Sequence, residues 1–465
     1  MLNPPAEQGC VPAFANPLAV RAPSLPSVLA LLCVLACPAP APGSPAGAGP
    51  PVASRSPAIP AAAILPARPA SVVADGVTDD ATASNNQVKV IRDLSGALVV
   101  AYAANVEGVP QVVLARSRNG GREWTTVGQA SSGAVPSRLP AIGVDSTGRL
   151  HVVWTRYDDG VGKIYYRAWQ GSWAAPQERI SPLPAYAGFP ALAVDAAGQP
   201  HVVWYGIREA AVPPPTRHGA IYEIFYTGFD GLVWAPPQLI STGLPDSVNP
   251  ALAVDRTGRL HATWYQFDGH WYQVRYAQRG AVWEEPETVL ATRFDAFNPD
   301  LAIGPRGQVV LAWEHHDGSS SVIQATRRIS GRWDDAVDLS DGPSQARHPS
   351  VSVAPSGIVY VVWDSDDGQV SVREFTSKWE PPIRLTGDGG NTYPSVAASQ
   401  RGADVVWTHT AQGRSSVRYL RLGPGGTSPA ARFSRRTAAL GVAAALLAMM
   451  GLALLASRRR RRRRG

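Results

Sequence analysis

The chain has 465 residues, with 43 Lys and Arg against 36 Asp and Glu, a formal net charge of +7. Seven consecutive arginines, Arg458–Arg464, equal that excess, so the rest of the chain is near neutral, which argues against a folded region that grips nucleic acid by charge. All three cysteines, Cys10, Cys33 and Cys37, lie in the first 41 residues, which leaves the remainder without a disulfide or a thiolate metal site.

The N-terminus carries Arg21 and then an apolar stretch, Val28–Ala36 (VLALLCVLA), followed by small residues and prolines. That apolar core is too short to span a bilayer and reads as a signal peptide over residues 1–41. Val34–Cys37 also resembles a bacterial lipoprotein box, so acylation at Cys37 is an alternative to cleavage near residues 36–41. Residues 42–70 are rich in Pro and Ala and read as a linker.

One phrase then recurs. It reads PAIGVDSTGRLHVVW at Pro140–Trp154, PALAVDAAGQPHVVW at Pro190–Trp204 and PALAVDRTGRLHATW at Pro250–Trp264. Weaker copies run Pro299–Trp313, Pro349–Trp363 and Pro394–Trp407, and a degenerate one runs Val88–Tyr102. A period of about fifty residues holding several short strands predicts propeller blades. Within each unit PAIGVD alternates apolar and polar residues as a half-buried strand does. The turn Asp145–Gly148 suits a side-chain cap by Asp and a left-handed Gly, and LHVVW is the second strand. A third strand (KIYYRAW in the second unit) and a fourth, opened by another Trp, complete the blade.

Two tryptophan series, one ending the second strand and one before the fourth, account for twelve of the fourteen tryptophans. Their recurrence in register predicts core packing between blades. His151, His201 and His261 also share one position, which points to a structural role. Glu314-His315-His316-Asp317 is no metal cluster on this reading, because neighbours on a strand face opposite ways. No metal or cofactor is expected.

The last copy has no fourth strand before Gly423, and an unclosed propeller would expose a sheet edge. Residues 64–74 are therefore predicted to supply the outer strand of the last blade. The fold class is all-β: a seven-bladed propeller of four-stranded blades over residues 71–423. A linker (424–436) precedes Thr437–Ser457, uncharged and one bilayer long, and the arginine tail 458–465. The positive-inside rule puts that tail in the cytoplasm. The expectation is an exported, monomeric, single-pass membrane protein with its propeller outside.

Loops on a rigid scaffold carry function. The loops entering each first strand and those following each second strand share one face. They place Asn86, Arg138, Phe189, Asn249, Asn298, Arg347, His348 and Tyr393, together with Asp158, Arg208 and Glu314, around the axial funnel.

Ser117–Trp124 (SRNGGREW) resembles the Asp box of sialidase-type propellers, with Asn119 where that box has Asp. The resemblance covers roughly residues 80–425. It implies an arginine triad, a tyrosine nucleophile with a Glu partner, and an Asp acid/base. Arg138-Leu139-Pro140 looks like the motif of the first triad member, and Arg347 stands where a later one would. Arg208 is the weakest match, for the remaining member. Tyr393 opens a late strand as the nucleophile does; Asp158 or Asp159 would be the acid/base, and Glu209 or Glu314 the partner. The family's catalytic domain has six blades, whereas seven units are present here. The sequence reading is therefore a non-catalytic binding or scaffold module taking a glycan or protein ligand at the funnel. The alternatives are a sialidase-like exo-glycosidase and a structural part of a cell-envelope assembly.

Overall fold

A computed structural model describes residues 63–64 and 70–423, apart from Asn85, Ala175, 183–184, 208–220, 242–245 and 341–344. The leader, the C-terminal apolar stretch, the arginine tail, Arg208 and Glu209 lie outside the described residues. No helix among the described residues is long and apolar enough to cross a membrane.

Seven sheets, each built on four antiparallel strands, form the blades of a propeller. The second blade shows the plan: Ser137–Val144 innermost, then Leu150–Asp158, Val161–Trp169 and Glu178–Arg179 at the rim. Innermost strands of the other blades are Val90–Arg92, Ala187–Val194, Ser247–Val254, Asp295–Ile303, Ala346–Val353 and Asn391–Ser399. Numbering the blades one to seven in chain order, the innermost strand of each packs on that of the next.

The first turn of the blade works as its residues predict. Asp145 Oδ1 accepts from the backbone N–H of Thr147 (2.8 Å) and of Arg149 (2.9 Å), and Gly148 turns the chain at φ +85°. The other carboxylate oxygen does a second job. Asp145 Oδ2 lies 3.3 Å from His151 Nε2, and His151 Nδ1 lies 2.9 Å from the Tyr166 hydroxyl. Asp195–His201–Tyr226 and Asp255–His261–Tyr276 repeat the chain. Each tyrosine then meets the edge of the next blade's rim tryptophan: Tyr166 on Trp234 (5.0 Å), Tyr226 on Trp283 (5.3 Å) and Tyr276 on Trp333 (5.2 Å). The second tryptophan series thus fastens blade to blade. The first series fills the seams: Trp264, fully buried, packs among Ala191, Val203 and Ile224 of the third blade.

The ring closes through the N-terminus. Ser71–Asp75 pairs antiparallel with Arg414–Leu422 and supplies the outer strand of the seventh blade. The closing strand covers only the end of the segment predicted for it. Ala63–Ile64 instead pairs, in parallel, with Ile383–Arg384 of the sixth blade. The seam between the seventh and first blades reuses the clamp with Asp404 in place of histidine. Asp404 accepts from the Tyr419 hydroxyl (2.7 Å) and receives both Nε and Nη2 of Arg92 at 2.7 Å, while Trp124 sits edge-on to Tyr419 at 5.3 Å.

The Asn119 turn is closed by its own side chains. Asn119 Oδ1 accepts from Arg122 N (3.2 Å) and Glu123 N (3.0 Å), and Trp124 Nε1 donates to Gly121 O at 3.2 Å.

Trp264→Ala should cost about 3–5 kcal/mol, the range for emptying a buried aromatic site, and lower the urea midpoint accordingly. Removing residues 63–75 should cost more and expose the Arg414–Leu422 edge. Light scattering should then show self-association that the intact chain lacks.

Candidate functional site

Every innermost strand from the second blade on enters through the same irregularity. The residue before its proline has positive φ: Leu139 (57°), Phe189 (56°), Asn249 (49°), Asn298 (48°), His348 (52°) and Tyr393 (54°). The strand register shifts across each of these residues. A non-glycine residue in this region is uncommon, and proline after it removes the extended alternatives' competitor rather than favouring the left-handed form. Such strain persists only where neighbours hold it.

The holding groups are visible. A left-handed residue ahead of a strand turns its own N–H out of the ladder. That N–H is taken by the side chain following the second-strand tryptophan of the preceding blade. Phe189 N donates to Thr155 Oγ1 (3.1 Å), His348 N to Glu314 Oε1 (2.8 Å) and Tyr393 N to Asp364 Oδ1 (3.1 Å). Thr408, at the same place in the last blade, accepts from Thr82 N at 3.0 Å. In the third and fourth blades the place is held by Tyr205 and Tyr265, which pack on Phe189 (5.1 Å) and Phe297 (5.3 Å).

The first blade lacks the proline and behaves differently. The chain ahead of it runs inward across the ring. Asn86 Nδ2 donates to Pro250 O of the fourth blade (2.7 Å), and Thr82 Oγ1 to Tyr393 O of the seventh (2.9 Å). Lys89 Nζ donates to Gln87 Oε1 (2.6 Å) and to Pro140 O of the second blade. Burial holds the Lys89 amine well below the ordinary lysine range, with the charge of Asp80 pulling the other way. Asn86 is itself buried, so it braces the funnel floor and does not line its mouth.

The remaining sequence-predicted residues divide into two sets. One set converges on the fourth to seventh blades. Asn249 Nδ2 donates to Asn298 Oδ1 (2.7 Å), and Asn298 Nδ2 to Glu314 Oε1 (2.9 Å). His348 Nδ1 lies 2.9 Å from Asp364 Oδ1, and its ring packs on Tyr393 with centroids 4.6 Å apart. Arg347 adjoins them and has neither an ion pair nor a side-chain hydrogen bond among the described residues. The other set stays in the second blade with partners of its own. Arg138, at the register that Arg347 holds in the sixth blade, pairs with Asp80 (2.6 Å). Asp158 accepts from the Tyr165 hydroxyl (2.7 Å) and pairs with Arg156 (2.8 Å). Phe189 lines the mouth against Tyr205.

Charges follow this geometry. Burial alone would lower His348, but the charge and hydrogen bond of Asp364 and the charge of Glu314 outweigh it and raise the imidazole above its ordinary value. Burial pushes Glu314 up; its contacts with His316 and His348 and the Asn298 amide more than offset this and hold it below the usual carboxylate range. Burial, then the charges of Asp364, Asp80 and Asp79, raise the Tyr393 phenol. Among the described residues no group of three or more His, Cys, Asp or Glu is placed to hold a metal ion.

Sequence reasoning counts Asp364 among the loop positions after the second strands and gives it no role, although it follows Trp363 as Glu314 follows Trp313. It passes over Asp80, which belongs to no repeat.

No protein-family model matches the chain, and no curated protein does. Solved structures do. An ulvan lyase from a polysaccharide lyase family aligns with TM-score 0.53 at 11% identity, over 76% of this chain and 95% of that one. A Hadza microbial sialidase aligns with TM-score 0.43 at 14% identity, over 68% and 74%. A Penicillium chrysogenum α-L-arabinanase aligns with TM-score 0.45 at 11% identity, over 76% and 97%. At these identities the likeness is one of fold alone, a β-propeller.

Two kinds of histidine should titrate in opposite senses. His151, His201 and His261 are lowered, chiefly by burial, so the stability they contribute is present above the ordinary value of about 6.5 and is lost as pH falls through their folded values. His348 is raised, so its contribution is complete below about 6.5 and is lost as pH rises through its folded value. Imidazole NMR titration should order the four residues this way. His348→Gln should remove the loss on the alkaline side and leave the acid-side loss intact.

Proposed function

We propose that this chain is a non-catalytic binding propeller that takes an anionic group of a glycan at the funnel mouth, beside Arg347, His348 and Tyr393. The observation that carries this reading is Arg347. Its guanidinium has no ion pair or side-chain hydrogen bond among the described residues, whereas the neighbouring Arg138 and Arg156 are both paired. An unpaired guanidinium on a partly open surface is the donor fork that carboxylate and sulfate esters fit. His348, raised above its ordinary value, adds a second positive group as the pH falls. Asn249 and Asn298 offer amides that hydroxyl-bearing ligands match.

The carboxylates support binding over catalysis. A general acid or base needs a carboxyl free to reach the substrate. Glu314 Oε1 accepts from both His348 N and Asn298 Nδ2 while its Oε2 lies 3.8 Å from His316 Nε2, Asp364 serves Tyr393 N and His348, and Asp158 spends its oxygens on Tyr165 and Arg156. The exo-glycosidase remains the second reading, favoured by Tyr393 standing next to Arg347 at a first-strand entrance. Against it, the phenol is harder to ionise than an ordinary tyrosine, and Asp364, the carboxylate whose charge acts on it most strongly, accepts from the tyrosine's own backbone N–H. The presentation we propose is extracytoplasmic, from a C-terminal anchor at Thr437–Ser457, supported by the apolar stretch and the arginines after it.

Calorimetric titration with 3′-sialyllactose and with GlcA–Rha3S oligosaccharides is the test. Arg347→Ala should weaken binding at least tenfold and remove most of its salt dependence without changing the thermal midpoint. A fluorogenic sialoside assay run in parallel decides the alternative. Turnover that Tyr393→Phe abolishes would replace the binding reading with the glycosidase.

A further inference from the structure

Fourteen tryptophans are present, and twelve belong to the two blade-packing series. The two outside them are Trp169 and Trp271. Trp169 belongs to the core between the first and second blades. Trp271 does not: it is 38% exposed, on the funnel-side turn of the fourth blade. Among the described residues the only other tryptophan or phenylalanine that is exposed is Phe294, at 39%. The two are neighbours, with ring centroids 6.0 Å apart and planes tilted by 54°. His315 of the fifth blade meets Phe294 edge-on at 5.9 Å.

The backbone turns that carry these rings are fixed. Asp268 Oδ1 accepts from both His270 N and Trp271 N at 2.8 Å, and Asp268 N donates to Trp271 O at 3.0 Å, which locks the turn carrying Trp271. The next residue, Tyr272, donates its N–H to Asp295 Oδ1 of the fifth blade at 2.8 Å. On that blade Phe294 N donates to Thr292 Oγ1 at 3.2 Å, and the Thr292 hydroxyl donates back to Phe294 O. Two separate turns thus hold two apolar rings against water. A protein that gained nothing from them would lose no packing by making them polar.

The pair is also continuous with the funnel. Tyr272 packs on Phe297 (5.3 Å), and Phe297 on His316 (5.2 Å). Phe297 immediately precedes Asn298, which bonds Glu314, which in turn receives the His348 backbone. A ligand leaving the mouth over the fourth and fifth blades therefore crosses this aromatic line.

We infer that Trp271 and Phe294 form an outer subsite that stacks on a sugar ring of an oligosaccharide whose anionic unit sits in the funnel. The inference rests on the proposed glycan reading and deepens it. Aromatic faces held rigidly at an open rim, beside polar turn groups, suit the mixed apolar and hydroxylated face of a pyranose. Holding them in place before binding spares the entropy of ordering them. A lone monosaccharide in the funnel would not reach them, so the subsite predicts dependence on chain length.

The probe is a series of GlcA–Rha3S oligosaccharides of two, four and six units, titrated by calorimetry against the intact chain, Trp271→Ala, Phe294→Ala, Trp271→Phe and Arg347→Ala. The intact chain should bind the six-unit oligomer at least tenfold more tightly than the two-unit one. Trp271→Ala and Phe294→Ala should lose that gain while keeping the two-unit affinity, and Trp271→Phe should keep most of it. All variants should retain the thermal midpoint, since both rings are exposed. Equal affinity at every length, or a length gain that survives both alanine variants, would overturn the outer subsite and leave the funnel reading standing. No binding at any length would overturn the funnel reading and the subsite with it. Loss of affinity at all lengths in Arg347→Ala alone marks the funnel contact and separates it from the rim.

Discussion

Much of the funnel face depends on one backbone constraint. Six innermost strands begin with a non-glycine residue in the left-handed region directly before proline. That conformation points an N–H away from the strand ladder, and a buried N–H without a partner costs about 1–3 kcal/mol. Where the structure supplies an acceptor, it comes from the residue after the second-strand tryptophan of the neighbouring blade. The acceptor therefore does two things at once. It stabilises a strained bulge and ties one blade's loop to the next blade's entrance. The side chains of the strained residues are consequently presented in a fixed ring, which is what a pre-organised site requires.

A second set of contacts works at the turn between the first and second strands. The turn aspartate, a histidine, a tyrosine and the next blade's tryptophan form a relay in three consecutive blades. Its polar end caps a turn, and its apolar end closes a seam. The seventh-to-first seam, where the N-terminal strand has to be recruited from elsewhere in the chain, substitutes a carboxylate. Asp404 gains a bidentate arginine from the first blade in return for the lost histidine. Burying that carboxylate is tolerable because three donors surround it. The substitution adds a directional bond at the one seam that chain continuity does not protect.

The architecture was legible because its determinants are periodic. Proline, turn Asp, Gly and Trp recur in register, so the strands and both packing roles of the tryptophans could be read from spacing. The site was only partly legible. His348, Asn249, Asn298, Phe189 and Tyr393 were found because they precede the repeating proline. Arg138 shares the register of Arg347, one residue ahead of the left-handed position, and differs from it by its pairing with Asp80, which no repeat in the sequence marks. Asn86 was misassigned for a related reason. The first unit has Val88 where the others have proline, so its entrance is not a bulge but an inward crossing. Asp364 could be placed on the funnel-face loop but given no role, because a carboxylate after tryptophan reads as a surface residue until the neighbouring N–H is seen. Trp271 is one of the two tryptophans that neither series claims, and its meaning required its exposure.

The carboxylates connect these points to function. On a propeller an acidic residue at a funnel loop invites a catalytic role. Here Glu314 and Asp364 stand at the position that threonine fills in the second and seventh blades. A position served equally by threonine and by carboxylate is defined by its capacity to accept a hydrogen bond. Charge at two of those places has a further effect, because both carboxylates flank His348 and favour its cationic form. The same two residues that hold the backbone in a strained conformation thus set the electrostatics of the mouth. Each keeps one oxygen, Glu314 Oε1 and Asp364 Oδ1, on a strained backbone N–H, so neither carboxyl can leave without releasing the loop it holds. The positive character of the site therefore falls to the groups with spare donors, and Arg347 is foremost among them.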